Sequence, residues 1–320
     1  MATQQQPIRE YIVPFLEYCE VEKGLSPNTQ RNYDQYLKRF THWLDVSNRS
    51  HLKPSDLSAD DIWEYRLHLA RKYHTRSGEP LSKKSQNYYL IALRAFLDFL
   101  AERDIETLPS SKIKLAKQQR EHNITFLDIS EVEALLAVPD TQTLRGMRDR
   151  TIMELFFSTG MRISELRGLD INDMSVLKDG REDRTYELSI VGKGRSVRTI
   201  FISPRAAAWV RSYIAQRSDM HEPLFINFRS KDPDAVRLSA RYMQQMISKS
   251  ALLAGLSKKV TPHTLRHTYA TDLLAHGADL RSVQELLGHK NVSTTQVYTH
   301  VTNTQLRAIH ERYHGGNDAA

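Results

Sequence analysis

The chain has 320 residues, with 45 Lys plus Arg against 38 Asp plus Glu for a formal net charge of +7, and 40% of it is hydrophobic. That is long enough for two ordinary domains and too apolar for a disordered chain. A single cysteine, Cys19, excludes an intrachain disulfide framework, a CxxC redox site and a cysteine zinc cluster. No apolar run nears the roughly 20 residues of a membrane span, and residues 1–9 lack the apolar stretch of a secretory signal.

From the N-terminus, Ile8, Tyr11, Ile12, Phe15, Leu16 and Cys19 fall at helical spacing, with Pro14 either in a first turn or at a kink. Ser26-Pro27 reads as a cap followed by proline at the first helical position, and Tyr33, Tyr36, Leu37, Phe40 and Leu44 then make one apolar stripe. Ser58 with Asp61 has the capping-box pattern ahead of Ile62, Tyr65 and Leu69. A fourth helix carries Tyr88, Ala92, Ala95, Phe96 and Phe99. The expectation is a four-helix bundle over residues 1–103, its aromatic stripe a core rather than a platform for stacking bases.

Residues 1–110 are neutral in sum, but charge is uneven within and after them. Arg71, Lys72, Arg76, Lys83 and Lys84 face only Glu79, and Lys112, Lys114, Lys117 and Arg120 face only Glu121. Each run reads either as a solvated face or as a source of phosphate contacts; charge alone does not decide between them. Residues 104–124, with Pro109 and a serine pair, read as a basic interdomain linker.

From Thr125 the pattern is helical again. Ser130 and Glu133 suggest a capping box before Leu135 and Leu136, and Arg145 to Ser158 is a helical segment ending at Thr159-Gly160. Tyr186 to Ser203 is the exception: an alternating run, Gly192-Lys193-Gly194-Arg195 turn chemistry, and a returning strand from Val197 to Ile202. The predicted class is therefore mainly α with a small antiparallel β-sheet, the bundle being followed by a second domain over 125–320.

Polar residues concentrate in four segments of that second domain. In Thr159-Gly160-Met161-Arg162-Ile163-Ser164-Glu165 a helix breaks and another opens, so the Arg162 guanidinium either serves an anion beside backbone N–H groups or pairs with Glu165. Lys193, between two glycines, is either an ordinary exposed turn lysine or a mobile acid. After Thr261-Pro262, helical spacing puts His263 and Arg266 on one face; His267 reads as structural. Last come Leu287-Gly288-His289 and Tyr298, the latter in the polar run Ser293-Thr294-Thr295-Gln296. Two arginines, a lysine and histidines around a tyrosine suit displacement at a phosphodiester. Guanidinium forks clamp nonbridging oxygens, cationic neighbours favour phenolate, and a lysine can protonate the leaving alkoxide. No carboxylate cluster of metal-ligand type accompanies them, which disfavours a two-metal mechanism; no metal and no cofactor are expected.

In this order the segments resemble the tyrosine recombinase (phage-integrase-like) family, and most of all its simple two-domain Xer-type recombinases. The family's Arg, Lys, His-x-x-Arg, His, Tyr pattern is complete between residues 159 and 300, and Leu25 to Phe40 is similar to its N-terminal core-binding domain. The resemblance implies Arg162 and Arg266 as phosphate clamps, Lys193 as the acid for the 5′-hydroxyl leaving group and His263 as a proton-transfer partner. It implies His289 as a hydrogen-bond donor in the transition state and Tyr298 as the nucleophile of a 3′-phosphotyrosyl intermediate. It further implies a duplex partner carrying a short inverted repeat, clamped by the bundle, the linker and the catalytic domain, with Arg71, Lys72, Lys83, Lys84, Lys112, Lys114 and Lys117 as candidate contacts. The assembly would be a homo-tetramer on DNA or a hetero-tetramer with a paralogous recombinase. Its place would be the cytoplasm, on the nucleoid, with no membrane and no small-molecule substrate. The terminal helix with Leu306, Ile309 and Tyr313 would dock on a neighbouring protomer rather than back on its own domain. Chromosome dimer resolution, in partition and cell division, is the expected role. An integrase of a mobile element, a type IB topoisomerase and a non-catalytic DNA-binding regulator are the alternatives.

Overall fold

The structure, a computed structural model, describes residues 5–75, 78–117, 125–192, 197–232 and 236–288. The chain divides into two units, Met1–Glu121 and His122–Ala320.

In the first unit a short 3-10 turn, Ile8–Tyr11, precedes α1 (Ile12–Val21). Pro14 therefore falls in the first turn, where its missing N–H costs no intrahelical bond. Helix α2 (Pro27–Val46) is capped by the Ser26 hydroxyl, which accepts from the Thr29 N–H at 3.3 Å. Helix α3 (Ala59–Arg71) has the reciprocal Ser58–Asp61 box, and α4 (Lys83–Glu102) starts at Ser82. The apolar stripes meet in one core in which Phe15, Phe40, Trp43, Tyr65, Phe96 and Phe99 are buried. Tyr88 departs from the expected stripe: it is 44% exposed and lies parallel to Tyr36 with ring centres 6.5 Å apart. Three positions before Ile91 and four before Ala92, it sits on the boundary between the buried and exposed faces of α4, where periodicity alone does not discriminate.

Tyr65 is wholly buried, 5.0 Å from the Phe40 ring and 5.3 Å from Trp43, and its hydroxyl has no hydrogen-bond partner among the described residues. Burial pushes its pKa well above the ordinary phenol value. An unsatisfied buried hydroxyl costs about 1–3 kcal/mol. Tyr65→Phe, which removes it without opening a cavity, is expected to raise the melting temperature of this unit by about 4–8 °C per kcal/mol recovered. Thermal unfolding followed by circular dichroism checks this; a lowered midpoint would mean the hydroxyl is bonded.

The described part of the expected linker is tied to the first unit. Ile105, Leu108, Ile113 and Leu115 pack on its core, and the buried Asn87 amide both donates to the Ala116 carbonyl and accepts from its N–H, each at 2.9 Å. Those apolar residues show no period because the segment is extended apart from one turn, Ser110–Lys112. Lys112, Lys114 and Lys117 stay exposed along it.

In the second unit α5 (Ile129–Ala137) begins two residues earlier than expected: Asp128 and Glu131, not Ser130 and Glu133, form the box. Asp is as good a cap as Ser, and Ser130 instead donates to Asp128 at 2.6 Å. Helix α6 (Leu144–Thr159) is buried on nearly every side, and its polar residues are paired: Arg148 with Asp149, and Glu154 with Arg150 and Arg205. Helix α7 (Ile163–Gly168) and a 3-10 stretch, Ile171–Asp179, lead to β1 (Tyr186–Val191) and β2 (Val197–Ile202). The strands pair antiparallel with Tyr186 opposite Ile202 and Ile190 opposite Arg198. Helices α8 (Pro204–Gln216), α9 (Ala240–Leu253), α10 (Pro262–Ala275) and α11 (Leu280–Leu287) follow. The main core draws on α5, α6, both strands, α8 and α9, while Tyr269, Ala270 and Leu274 of α10 hold Val283 and Leu287 of α11 in a smaller cluster. The class read from the sequence, helical with one small antiparallel sheet, is the class observed.

Candidate active site

Two helix junctions and one strand converge on the end of α11. The first junction is Gly160, in the left-handed region at φ 58°, where a Cβ would stand 2.4 Å from the Tyr269 ring. Glycine thus lets α6 end directly against α10. Two residues on, Arg162 opens α7, and the carboxylate of Glu165 accepts from both its backbone N–H and its Nη1, each at 2.8 Å. The anion beside these N–H groups is therefore Glu165 itself. Of the two expectations for Arg162, the pairing with Glu165 is the one observed; its Nη2 donates to the Gly288 carbonyl at 2.8 Å. The Arg162 side chain remains 33% exposed.

The second junction is the start of α10. Thr261 caps it, Pro262 occupies the first helical position, and Thr264 returns the capping bond. That fixes the helical phase so that Arg266 turns inward, where it is 3% exposed and donates to the carbonyls of Gly160 and Leu287. His263, one turn earlier, keeps an exposed edge, and its ring stands 4.2 Å from that of His267, edge to face. Surrounding protein desolvates the His263 imidazole, and the positive charges of Arg266 and Arg162 add to the effect, so its pKa lies below the ordinary value. That shift favours the neutral imidazole, the form that can accept a proton.

The sign of that shift makes a prediction for the free protein. A folded state that resists protonating His263 loses stability as pH falls below about 6.5, the unfolded value, down to the folded pKa. His263→Gln is expected to remove this acid-side loss, flattening the melting temperature between pH 6.5 and 5. An unchanged slope in the variant would mean that the histidine is not held neutral.

The strand supplies Arg198, which the sequence reading passed over. It is 10% exposed, donates from Nη2 to Glu165 at 2.8 Å and from Nη1 to the Leu286 carbonyl. Its signal lay in the alternation of β2: Arg198 shares the inward register of Ile200 and Ile202, and a charge on a buried face requires a partner. For Glu165, burial pushes the pKa up, but the hydrogen bonds from Arg198 and Arg162 outweigh it and hold the carboxyl below the usual range.

The structure thus brings Arg162 and Arg266 together at the C-terminal end of α11, with His263 near enough to both for their charges to act on it. Lys193, His289 and Tyr298 lie outside the described residues, as does the terminal segment with Leu306, Ile309 and Tyr313. Arg71, Lys72, Lys83 and Lys84 flank the connection from α3 to α4, and with Lys112, Lys114 and Lys117 all are exposed. No ion pair among the described residues engages them.

Residues 125–305 match the Phage integrase family, and residues 12–104 match the Phage integrase, N-terminal SAM-like domain. Tyrosine recombinase XerD of Lacticaseibacillus casei is 35% identical over 310 residues, covering 95% of this chain and 98% of that protein. Tyrosine recombinase XerC of Syntrophus aciditrophicus is 34% identical over 318 residues, covering 95% and 97%. In fold, the chain is similar to the XerH site-specific recombinase bound to its difH substrate, with a TM-score of 0.72, 20% identity, and 96% and 98% coverage.

Proposed function

The chain belongs to the phage integrase family and is a site-specific tyrosine recombinase, a DNA-binding enzyme; from that premise we propose how its residues divide the reaction and what the reaction serves. Arg162 and Arg266 clamp the nonbridging oxygens of the scissile phosphate, Arg162 from the exposed side and Arg266 from beneath. Negative charge grows on those oxygens as the fifth oxygen approaches phosphorus, and fixed guanidinium donors stabilise it without reorganising. Tyr298 is the nucleophile. Its phenol has an ordinary pKa of about 10, so the cationic site and a proton acceptor must favour loss of its proton; His263, held neutral, is suited to accept it. Attack forms a 3′-phosphotyrosyl ester and expels the 5′-oxygen, which Lys193 protonates, while His289 donates a hydrogen bond to the phosphate. One phosphodiester is exchanged for another ester of similar energy, so neither metal nor nucleotide hydrolysis is needed.

The observation that carries this reading is the convergence of Arg162 and Arg266, from α7 and α10, on adjacent carbonyls of Leu287 and Gly288 with His263 within reach of both charges. The N-terminal unit serves as the core-binding domain, the stretch 104–124 as a basic connector, and the exposed lysines and arginines of the two basic runs contact DNA phosphates. Four protomers, identical or paired with a paralogous recombinase, exchange strands at a short inverted repeat on the chromosome, in the cytoplasm. Whole-length similarity to XerC and XerD proteins supports chromosome dimer resolution, linked to partition and cell division, over integration of a mobile element.

The test uses the whole protein. Genomic fragments that it retains are sequenced, and a short inverted repeat is expected among them. A nicked duplex of that repeat is then incubated with the protein in excess chelator. A covalent protein–DNA adduct supports the reading; tight binding with no adduct would leave a regulator. Relaxation of supercoiled DNA without sequence dependence would instead favour a topoisomerase.

A further inference from the structure

Three successive carbonyls close α11, and each accepts from a different arginine: Leu286 from Arg198, Leu287 from Arg266 and Gly288 from Arg162. The last carbonyls of a helix lack intrahelical donors and carry its partial negative charge, so three guanidinium groups both satisfy and anchor this end. The next residue in the chain is His289. Two of the three arginines have a part in the proposed chemistry. Arg198 has none, yet it is tied both to Glu165 and to the end of α11. It lies on β2, the strand that comes after Lys193 in sequence, and it shares the Glu165 carboxylate with Arg162. Its aliphatic stem fills the space at Gly288, where a Cβ would stand 2.6 Å from Arg198 Cδ and 3.2 Å from Nε. Its Nε–H is buried with no partner among the described residues. A side chain retained for stability alone would not be expected to leave a donor unmet.

We infer that Arg198 is a positioning residue: it holds Glu165 so that Glu165 aims the Arg162 guanidinium, and it fixes the end of α11 from which His289 departs. This rests on Arg162 acting as a phosphate clamp. In this assignment Arg198 acts through Glu165 and the Leu286 carbonyl rather than on the phosphate. Its loss would therefore slow the chemical step and leave duplex affinity alone, since misplaced catalytic groups cost rate rather than binding.

The nicked duplex of the selected repeat supplies the test, with single-turnover adduct formation at saturating DNA read beside the dissociation constant for the same duplex. An adduct from the parent protein, absent from Tyr298→Phe, establishes the chemistry first, so that the rates of the Arg198 and Gly288 variants bear on positioning alone. Arg198→Lys keeps a charge but lacks the fork that reaches two partners. It is expected to lower the adduct rate about 10- to 100-fold, the range for lost support of a site residue, with affinity within about twofold. Gly288→Ala keeps every charge and presses on the Arg198 stem. It is expected to slow the step by at least about 10-fold, and it carries the test should Arg198→Lys not fold. Combined, the two are expected to fall short of the product of their separate effects, because they disturb one contact. A 5′-bridging sulfur at the scissile position, which leaves without a proton, is expected not to restore Arg198→Lys. Parent-like rates in both variants, a loss confined to affinity, or full rescue by the sulfur substrate would each overturn the assignment.

Discussion

Tyr298→Phe is expected to abolish the covalent adduct on the nicked duplex, with no residual signal above a no-protein blank. Phenylalanine retains the ring and removes the oxygen proposed to attack phosphorus. General acids, bases and charged clamps accelerate a displacement by factors, but removal of the nucleophile takes away the reaction itself. Duplex affinity is expected to stay within about twofold, since binding rests on many phosphate contacts and one hydroxyl contributes little to them. Denaturing gel analysis of the labelled duplex reads the adduct, and fluorescence anisotropy the affinity. Adduct from the variant at the parent's yield would move the nucleophile to another residue.

Arg266→Ala is expected to have the next largest effect, lowering adduct formation about 100- to 1,000-fold, or about 2.7–4 kcal/mol of transition-state stabilisation. Two losses combine in one substitution. The phosphate loses a guanidinium acting from a nearly dry position, where charge is weakly screened. The Gly160 and Leu287 carbonyls lose their donor, so the α6–α7 junction and the end of α11 are no longer fastened to α10. Unmet buried carbonyls cost about 1–3 kcal/mol each, and the variant is expected to melt at a lower temperature. Arg266→Lys separates the two contributions: it restores charge without the fork, so a partial recovery of rate with little recovery of melting temperature is expected. Equal rates for parent and Arg266→Ala at saturating duplex would remove Arg266 from the clamp.

Local chemistry explains why so much of the architecture was legible from residue order. Ser26-Pro27, Ser58 with Asp61, and Thr261-Pro262 satisfy the orphan N–H groups of the first helical turn with their own side chains, so each start is encoded within four residues. The same locality misled at α5, where Asp128 and Ser130 both qualify as caps and only the packing of Val132, Leu135 and Leu136 selects the earlier one. Tyr88 shows a similar limit: helical period assigns a sector, but the neighbours decide how far the sector is covered. The chemistry-bearing segments stood out because their residue types suit a phosphodiester displacement and their order resembles that of the tyrosine recombinase family.

Arg198 marks where that legibility ends. Alternation along β2 places it inward, but nothing near it in the chain reveals that its partner is Glu165 on α7 or that its second contact is the Leu286 carbonyl. The capped helices and the small sheet come from interactions among neighbours in the chain, and such interactions are written in sequence. The fan of three arginines around the end of α11 is a different kind of fact. Its members come from α7, β2 and α10, and they meet only once Gly160 has allowed α6 to stop against Tyr269 and the strands have closed over Glu165. A buried charge must find its counter-charge somewhere, and sequence states that demand; tertiary packing alone decides which group answers it.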